Sequence, residues 1–512
     1  MSRLIVLSNR VKLPDNKPMA GGLAVALNDV LIEHPAIWMG WNGEIIESRN
    51  SDKDSLNQSA VNQFHEVRHP ISADLTPTQA NISYVTTALS SKQYQHFYCG
   101  FANNVLWLML HGNTELITQD PMDFAGCQAV NRLFAEQLSH IVEPDDVIWV
   151  HDYHFLSVAY YCRKLGIKNR IGFFLHVPFA ALPFWQSLPQ SAELITQLAN
   201  YDLIGVQSQR DKANCLAVFK HYLAERLLSV NNTKNQLTFS LDDACHKLTL
   251  DAYPIGINVA KIQQEVEDLS PLQQTGDEKS SAQQIIAVDR IDYSKGLLER
   301  FSAYSKFLQC YPEYQQQLNL FQIACPSRLD LPVYQRLYDK VKQAAGQVNS
   351  EFALKNTNVD DLTSYWQPIT YSETVRNRTA LMAAFWQSDV CWVNSLKDGM
   401  NLVAKEYVAA QNPQNPGVLL LSCYTGAAEQ MTAAVIIDPN DPQSMINGLK
   451  LALTMPLSER KARHQMLLQG LKNNDLEHWQ HNFLKDLCPK NSNLKNNSLK
   501  DSGFEACQNE TA

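Results

Sequence analysis

The stretch Ile285-Ile286-Ala287-Val288-Asp289-Arg290-Ile291-Asp292-Tyr293-Ser294-Lys295-Gly296-Leu297 decides the fold. Its four leading apolar residues read as a short buried strand, and from Leu297 to Leu308 apolar residues return every three to four positions, as they do on a helix. A buried strand that feeds a helix through a short loop is half of a βα unit, so the sheet is parallel and covered on both faces. In such sheets ligands bind outside the carboxyl ends of the strands. Arg290 and Lys295 share one of these loops, where a planar fork and a point charge can both reach a diphosphate. Loop cations more often form surface ion pairs. Against that reading, Cys325-Pro326-Ser327-Arg328 repeats the arrangement after the next apolar run.

The same alternation extends in both directions. Strand-like runs occur at Leu4–Leu7, Val147–Val150, Ile171–Leu175, Leu203–Val206, Ile285–Val288, Leu318–Ile323, Val390–Val393, Val418–Leu421 and Ala434–Ile437, with helical patterns such as Gly126–His140 and Leu331–Ala345 between them. That is too many for one small sheet. A chain of 512 residues also exceeds what one core usually serves, so two doubly wound α/β domains are expected, with a ligand cleft between them. The boundary falls at Tyr253-Pro254-Ile255-Gly256-Ile257, before a polar stretch at about 262–284. This divides the chain into 1–252 and 253–488. Residues 45–82 form a polar excursion with room for a hairpin, and 489–512 have little to bury and are expected to be a disordered tail.

Other strand ends carry polar residues that need a reason to be there. Ser8-Asn9-Arg10 closes the first run, and Gly21-Gly22-Leu23 opens a helical pattern that follows it. A glycine pair lets backbone N–H groups approach a phosphate, although alone it is more often a simple turn. His151-Asp152-Tyr153-His154 and His176-Val177-Pro178-Phe179 stand at two successive strand tips, where a single histidine is as readily a structural hydrogen bonder as a ligand contact. They lack the helical spacing of zinc-binding histidines, so no metal is assigned. Leu396-Lys397-Asp398-Gly399-Met400-Asn401-Leu402-Val403-Ala404-Lys405-Glu406 must turn at Gly399 into a helix whose first N–H groups face the same cleft, with Glu406 about two helical turns along.

The bulk properties narrow the possibilities. A net charge of −9 argues against a general nucleic-acid binder, which needs a basic surface. The start has too short an apolar segment for a signal peptide, and Ile171–Trp185, the best membrane candidate, is broken by His176, Pro178 and Pro183; a cytoplasmic protein is expected. Eleven cysteines without Cys-x-x-Cys spacing read as reduced thiols, mostly in the core.

The chain resembles the trehalose-6-phosphate synthase family, retaining glycosyltransferases of GT-B architecture, from residue 1 to about 485. The resemblance rests on SNR at 8–10, GGL at 21–23, WMGWNG at 38–43, NNVLW at 103–107, IWVHDYH at 148–154, RIGFFLHVPF at 170–179, YPIGI at 253–257, DRIDYSKGL at 289–297 and KDGMNLVAKEYVAAQ at 397–411, in that order. It implies that Arg10, Tyr98, Asp152 and Arg328 hold the acceptor glucose 6-phosphate, with Trp41 and Trp107 as cleft tryptophans beside it. The donor UDP-glucose falls to Gly21, Gly22, Arg290, Lys295, Asp398, the backbone of Leu402 and Val403, and Glu406. Arg290, Lys295, His176 and Asp398 serve the chemistry.

A retaining glycosidase uses two carboxylates about 5 Å apart, one as a nucleophile. The family pattern supplies no such pair, so fixed positive charge on the leaving diphosphate takes its place, with no covalent intermediate and no cofactor or metal. The resemblance further implies a homo-oligomer, dimer or tetramer, with the last helix crossing back near Trp479 and a separate phosphatase acting on the product. Departures are a longer segment at Phe352–Tyr365 and Arg376, which falls where relatives carry an apolar residue against the donor base. Two other readings stand beside this one: a relative that uses glycerol 3-phosphate or a cyclitol phosphate, and a silent sugar-phosphate sensor.

Overall fold

A computed structural model describes residues 3–11, 36–47, 65–67, 82–241, 244–269, 282–353 and 366–488. Among these residues sixteen strands form two sheets. The first holds β1 (Leu4–Arg10), β2 (Ala36–Ile46), β3 (His65–Val67), β4 (Ile82–Ser90), β5 (Val147–His151), β6 (Arg170–Phe174), β7 (Leu203–Val206), β8 (Leu227–Asn231), β9 (Gln236–Leu241) and β10 (Ala244–Ala252), in the order β3-β4-β2-β1-β5-β6-β7-β10-β9-β8. Its seven central strands are parallel, while β3, β8 and β9 pair antiparallel at the two edges. The second holds β11 (Gln283–Arg290), β12 (Leu318–Cys325), β13 (Ile369–Ser372), β14 (Val390–Val393), β15 (Val418–Ser422) and β16 (Val435–Ile437), all parallel, in the order β13-β12-β11-β14-β15-β16.

All nine expected runs are strands. Of those not expected, β8 and β10 are half exposed and lack the continuous apolar run that marks a strand buried on both faces, whereas β2 is interior and buried over Ala36–Trp41 and stands in the sequence reading only as a motif. Of the excursion at 45–82, the ends join β2 and β4, and β3 lies antiparallel to β4; most of the rest is outside the described residues, as are 354–365 and 489–512. The ten described cysteines are all free, six of them buried.

In each sheet the strand that comes first in the chain lies in the interior, with later strands added outward to one side and then to the other. Between β1 and β5, and again between β11 and β14, the direction of winding reverses, which opens a crevice at the carboxyl ends of those strands. Arg10 ends β1 and Asp152 follows β5; Arg290 ends β11 and Asp398 follows β14. Four of the expected site residues therefore sit at the two switch points.

The two halves share a core. Tyr253, Ile255 and Ile257 lie in it with residues of both sheets and the helix Leu476–Leu487. That helix packs on the first sheet: Trp479 and Phe483 meet Trp149 at ring distances of 5.1 and 4.6 Å, and Arg170 Nε donates to the Leu487 carbonyl. Fully buried side chains of this size contribute about 1.5–3 kcal/mol each. The connecting peptide is held from both sides. The Ile255 N–H donates to Gln207 Oε1 at 3.0 Å, while the wholly buried Lys405 donates to the Ile255 carbonyl at 2.6 Å and to Gln430 Oε1 at 2.8 Å. Burial lowers the Lys405 pKa to about 7.

Candidate active site

On the first sheet's side, an aromatic wall rises behind Arg10. The exposed Arg10 guanidinium lies over the Trp41 ring at 5.3 Å, and Trp41 meets Tyr94 and Tyr98 at 5.6 and 5.5 Å. Both tyrosines belong to Tyr94–Leu106, which winds as a π-helix, a rare geometry concentrated at functional sites. Tyr98 stacks on His154, and His154 meets Tyr153, whose hydroxyl donates to Asn103 at 2.7 Å. Spacing alone assigns no role to Tyr94, Asn103, Tyr153 or His154, although three of the four lie within the motifs quoted above.

The wall meets the second half at Trp107. Its indole N–H donates to Asp292 at 3.3 Å, and the Arg328 guanidinium stacks on its ring at 3.8 Å while pairing with Asp292 at 2.7 Å. Arg290 approaches the same ring at 5.5 Å from the end of β11; it is exposed and has no ion pair among the described residues. Asp292, two residues along the motif, has no role in the sequence reading, yet it is the hub: fully buried, it also takes the N–H and hydroxyl of Ser294. Burial pushes its pKa up, but Arg328 and Arg290 more than offset this and hold it at about 2.

Asp152 and Arg328 have positive φ, 74° and 52°, conformations that side-chain residues adopt only where the surroundings enforce them. For Asp152 the enforcing bonds are its N–H to the Phe174 carbonyl at 2.8 Å and the His176 N–H onto its carboxylate at 3.3 Å. His176 Nε2 lies 3.0 Å from His151 Nδ1. The loop Asp398–Asn401 comes up against the same strand tip from the other half. A Cβ on Gly399 would fall on the His176 carbonyl oxygen, so only glycine allows this approach.

Lys295 pairs with Asp398 at 2.5 Å, and the same carboxylate oxygen takes Ser395 and Asn401. Burial raises the Asp398 pKa and Lys295 outweighs it, leaving the group below its usual value. Asn401 caps the helix Leu402–Ala409 through the Ala404 N–H, so the amides of Leu402 and Val403 remain as first-turn donors. The helix begins at Leu402 rather than at Gly399, which places Glu406 just over one turn along instead of two. Glu406 meets Arg378 at 3.4 Å, and Arg378 is held by Glu265 at 2.7 Å. Arg376 lies over Phe321 at 5.0 Å. Gly21 and Gly22 lie outside the described residues.

The site is sensitive to acid. Burial lowers the pKa of His111 to about 4, of His154 and His176 to about 3, and of His151 well below its usual value, whereas it raises Asp152 and Asp211 to about 6. Below pH 6.5 the unfolded chain takes up protons on the histidines before the folded one does, which removes stability. The two carboxyls work the other way from about pH 6 down to about 4. With four histidines against these two carboxyls and Glu406, which burial also raises, stability is expected to fall below pH 6.5 by about 1.4 kcal/mol per pH unit for each net proton. Urea midpoints measured from pH 7 to 4.5 check this; a midpoint that holds to pH 5 would show the histidines to be solvated.

The family model for "Glycosyltransferase family 20" matches residues 7–488. The chain is 40% identical over 494 residues to the trehalose-6-phosphate synthase of Sodalis glossinidius (strain morsitans), covering 95% of this chain and 96% of that protein. A solved E. coli structure bound with UDP-2-fluoro glucose matches at a TM-score of 0.82 and 36% identity, over 95% of this chain and 99% of that one. The alpha,alpha-trehalose-phosphate synthase (UDP-forming) of Burkholderia xenovorans in complex with glucose-6-phosphate matches at 0.82 and 35%, over 95% and 100%. Two facing switch points lined with cations, and agreement in sequence and fold from end to end, establish that the chain belongs to glycosyltransferase family 20.

Proposed function

We infer that the chain is a UDP-forming trehalose-6-phosphate synthase, which transfers glucose from UDP-glucose to glucose 6-phosphate with retention to give trehalose 6-phosphate and UDP. The observation that carries this reading is the presence of two cation sets around the Trp107 contact, one of them drawn from both halves. Arg290, Lys295 and the amides of Leu402 and Val403 suit a diphosphate, and Arg10 and Arg328 suit a second, separate phosphate across the Trp107 contact. In this reading Tyr98, Trp41, Trp107 and Asp152 frame the acceptor sugar, His176 and Asp398 face the transferred glucose, and Glu406 takes the ribose. Gly21 and Gly22 contribute backbone N–H groups. The domains divide at 252 and 253.

Asp398 is a poor nucleophile, since one of its oxygens already takes three donors. The reaction then rests on stabilising charge as it develops on the departing diphosphate, whose oxygen receives the acceptor's proton on the same face. The protein's own cations fill this role. Both substrates are phosphorylated metabolites retained inside cells, so a cytoplasmic place goes with the reading, as does a homo-oligomer.

UDP release from the purified chain, with UDP-glucose and with or without glucose 6-phosphate, tests the reading. Acceptor-dependent release of UDP and an α,α-linked disaccharide phosphate, identified by mass and anomeric couplings, is the expected result. Faster turnover of glycerol 3-phosphate would overturn the acceptor assignment, and absence of turnover with any acceptor would leave the sensor reading.

A further inference from the structure

The turn Thr425–Gln430 touches three things at once. On one side it is hydrogen-bonded to the donor loop, with the Gly426 N–H donating to the Asp398 carbonyl and the Ala427 N–H to the Met400 carbonyl. On another, Gln430 accepts from Lys405, whose second bond holds the Ile255 carbonyl in the connection between the halves. On the third, Glu429 reaches the other sheet's domain. Its two carboxylate oxygens accept the N–H groups of Gln209 and Arg210 at 2.8 and 3.2 Å, the first two residues of the helix Gln209–Tyr222.

Ser208 takes the Asp211 N–H of that helix, so two of the three satisfied first-turn donors are satisfied from 220 and 219 residues away in sequence. A carboxylate there is favoured both as an acceptor and by the positive end of the helix dipole. Arg210 adds a bond of its own to the Cys423 carbonyl at 3.3 Å. Glu429, Gln209 and Arg210 are solvent-exposed, which allows the contact to open and re-form. Among the described residues, Glu429, Gln209 and Arg210 make no hydrogen bond or ion pair to the side chains assigned to donor or acceptor.

We propose that Glu429 is a positioning residue: through the turn Thr425–Gln430 it ties the donor loop Asp398–Asn401 to the helix Gln209–Tyr222 and so sets how the two faces meet during transfer. Loading of the donor loop and docking of the acceptor domain are then coupled through a short run of backbone bonds. The inference rests on the donor-site reading above.

The test uses the full chain and its variants Glu429→Ala, Glu429→Gln and Arg210→Ala. UDP affinity by calorimetry, steady-state constants for glucose 6-phosphate and small-angle scattering with and without UDP plus glucose 6-phosphate are measured. Glu429→Ala is expected to keep UDP affinity within about twofold while lowering kcat/KM for glucose 6-phosphate by about fivefold, the lower end of coupling between sites. It should also lose part of the ligand-induced compaction of the parent. Glu429→Gln keeps an acceptor oxygen and should recover most of the loss, and Arg210→Ala should show a smaller effect in the same direction.

Unchanged kcat/KM in Glu429→Ala would overturn the proposal. So would a loss of UDP affinity in step with turnover, which means damage within the donor site. A lowered melting temperature that Glu429→Gln does not relieve, with Arg210→Ala normal, would mark the contact as merely structural. If the parent chain itself shows no acceptor-dependent UDP release, the functional reading fails. The scattering and UDP-affinity comparison still judges the coupling in that case.

Discussion

Arg290→Ala is expected to lower kcat with UDP-glucose by about 10²- to 10³-fold, the cost of removing one preorganised donor from a developing negative charge. Its guanidinium is exposed at the end of β11 and has no ion pair among the described residues, so buried Asp292 keeps its direct partner Arg328 when Arg290 is removed. Stability should accordingly change by less than about 0.5 kcal/mol, as for other surface substitutions. UDP release measures the first quantity and urea denaturation the second. Lys295→Ala would be a poorer probe, because Lys295 is the cation that holds Asp398 ionised, and its loss would disturb both groups. An Arg290→Ala variant that turns over at the parent rate would remove leaving-group stabilisation by this residue from the mechanism.

Arg328→Ala is expected to fail in two separable ways. Acceptor use should fall by about 10²-fold or more, since a charge-assisted contact to the phosphate is lost. Stability should also drop by about 3–5 kcal/mol, because Asp292 is left ionised and buried without its main partner. The double variant Arg328→Ala with Asp292→Asn removes the stranded charge, and should regain most of the stability and none of the acceptor use. If the double variant turned over glucose 6-phosphate normally, the phosphate would not be read by Arg328. If the single variant were as stable as the parent, the pair with Asp292 would not be the buried charge pair that the distances describe.

These two arginines also mark how far local sequence reaches. Both stand at the end of an apolar run with a helix pattern behind it, and that signature is enough to place them on loops at the carboxyl ends of strands. Nothing local distinguishes their circumstances. Arg290 is exposed and unpaired among the described residues, whereas the Arg328 side chain is largely covered by a tryptophan from the other half and paired with a carboxylate from the preceding loop. Asp292 belongs to the same motif as Arg290 but shows no role by spacing, because its function is to be surrounded, and surroundings are not encoded by spacing. Glu406 sits a full turn nearer the start of its helix than the sequence implies for a similar reason: Gly399 marks a turn, but it is the Asn401 side chain, accepting the Ala404 N–H, that starts the helix.

Alone, the sequence determined the class of fold, nine of the described strands and the residues at their tips. Each of those depends on burial periodicity and turn chemistry within about a dozen residues. The remaining strands, the order of strands and the pairing of tips into two switch points depended on tertiary structure. So did the Trp107–Asp292–Arg328 contact, the clamp on Ile255 and the reach of Glu429 to a helix some 220 residues earlier. Such contacts form only when segments distant in the chain are brought together, and their geometry follows from how the two sheets pack rather than from any residue's neighbours in sequence.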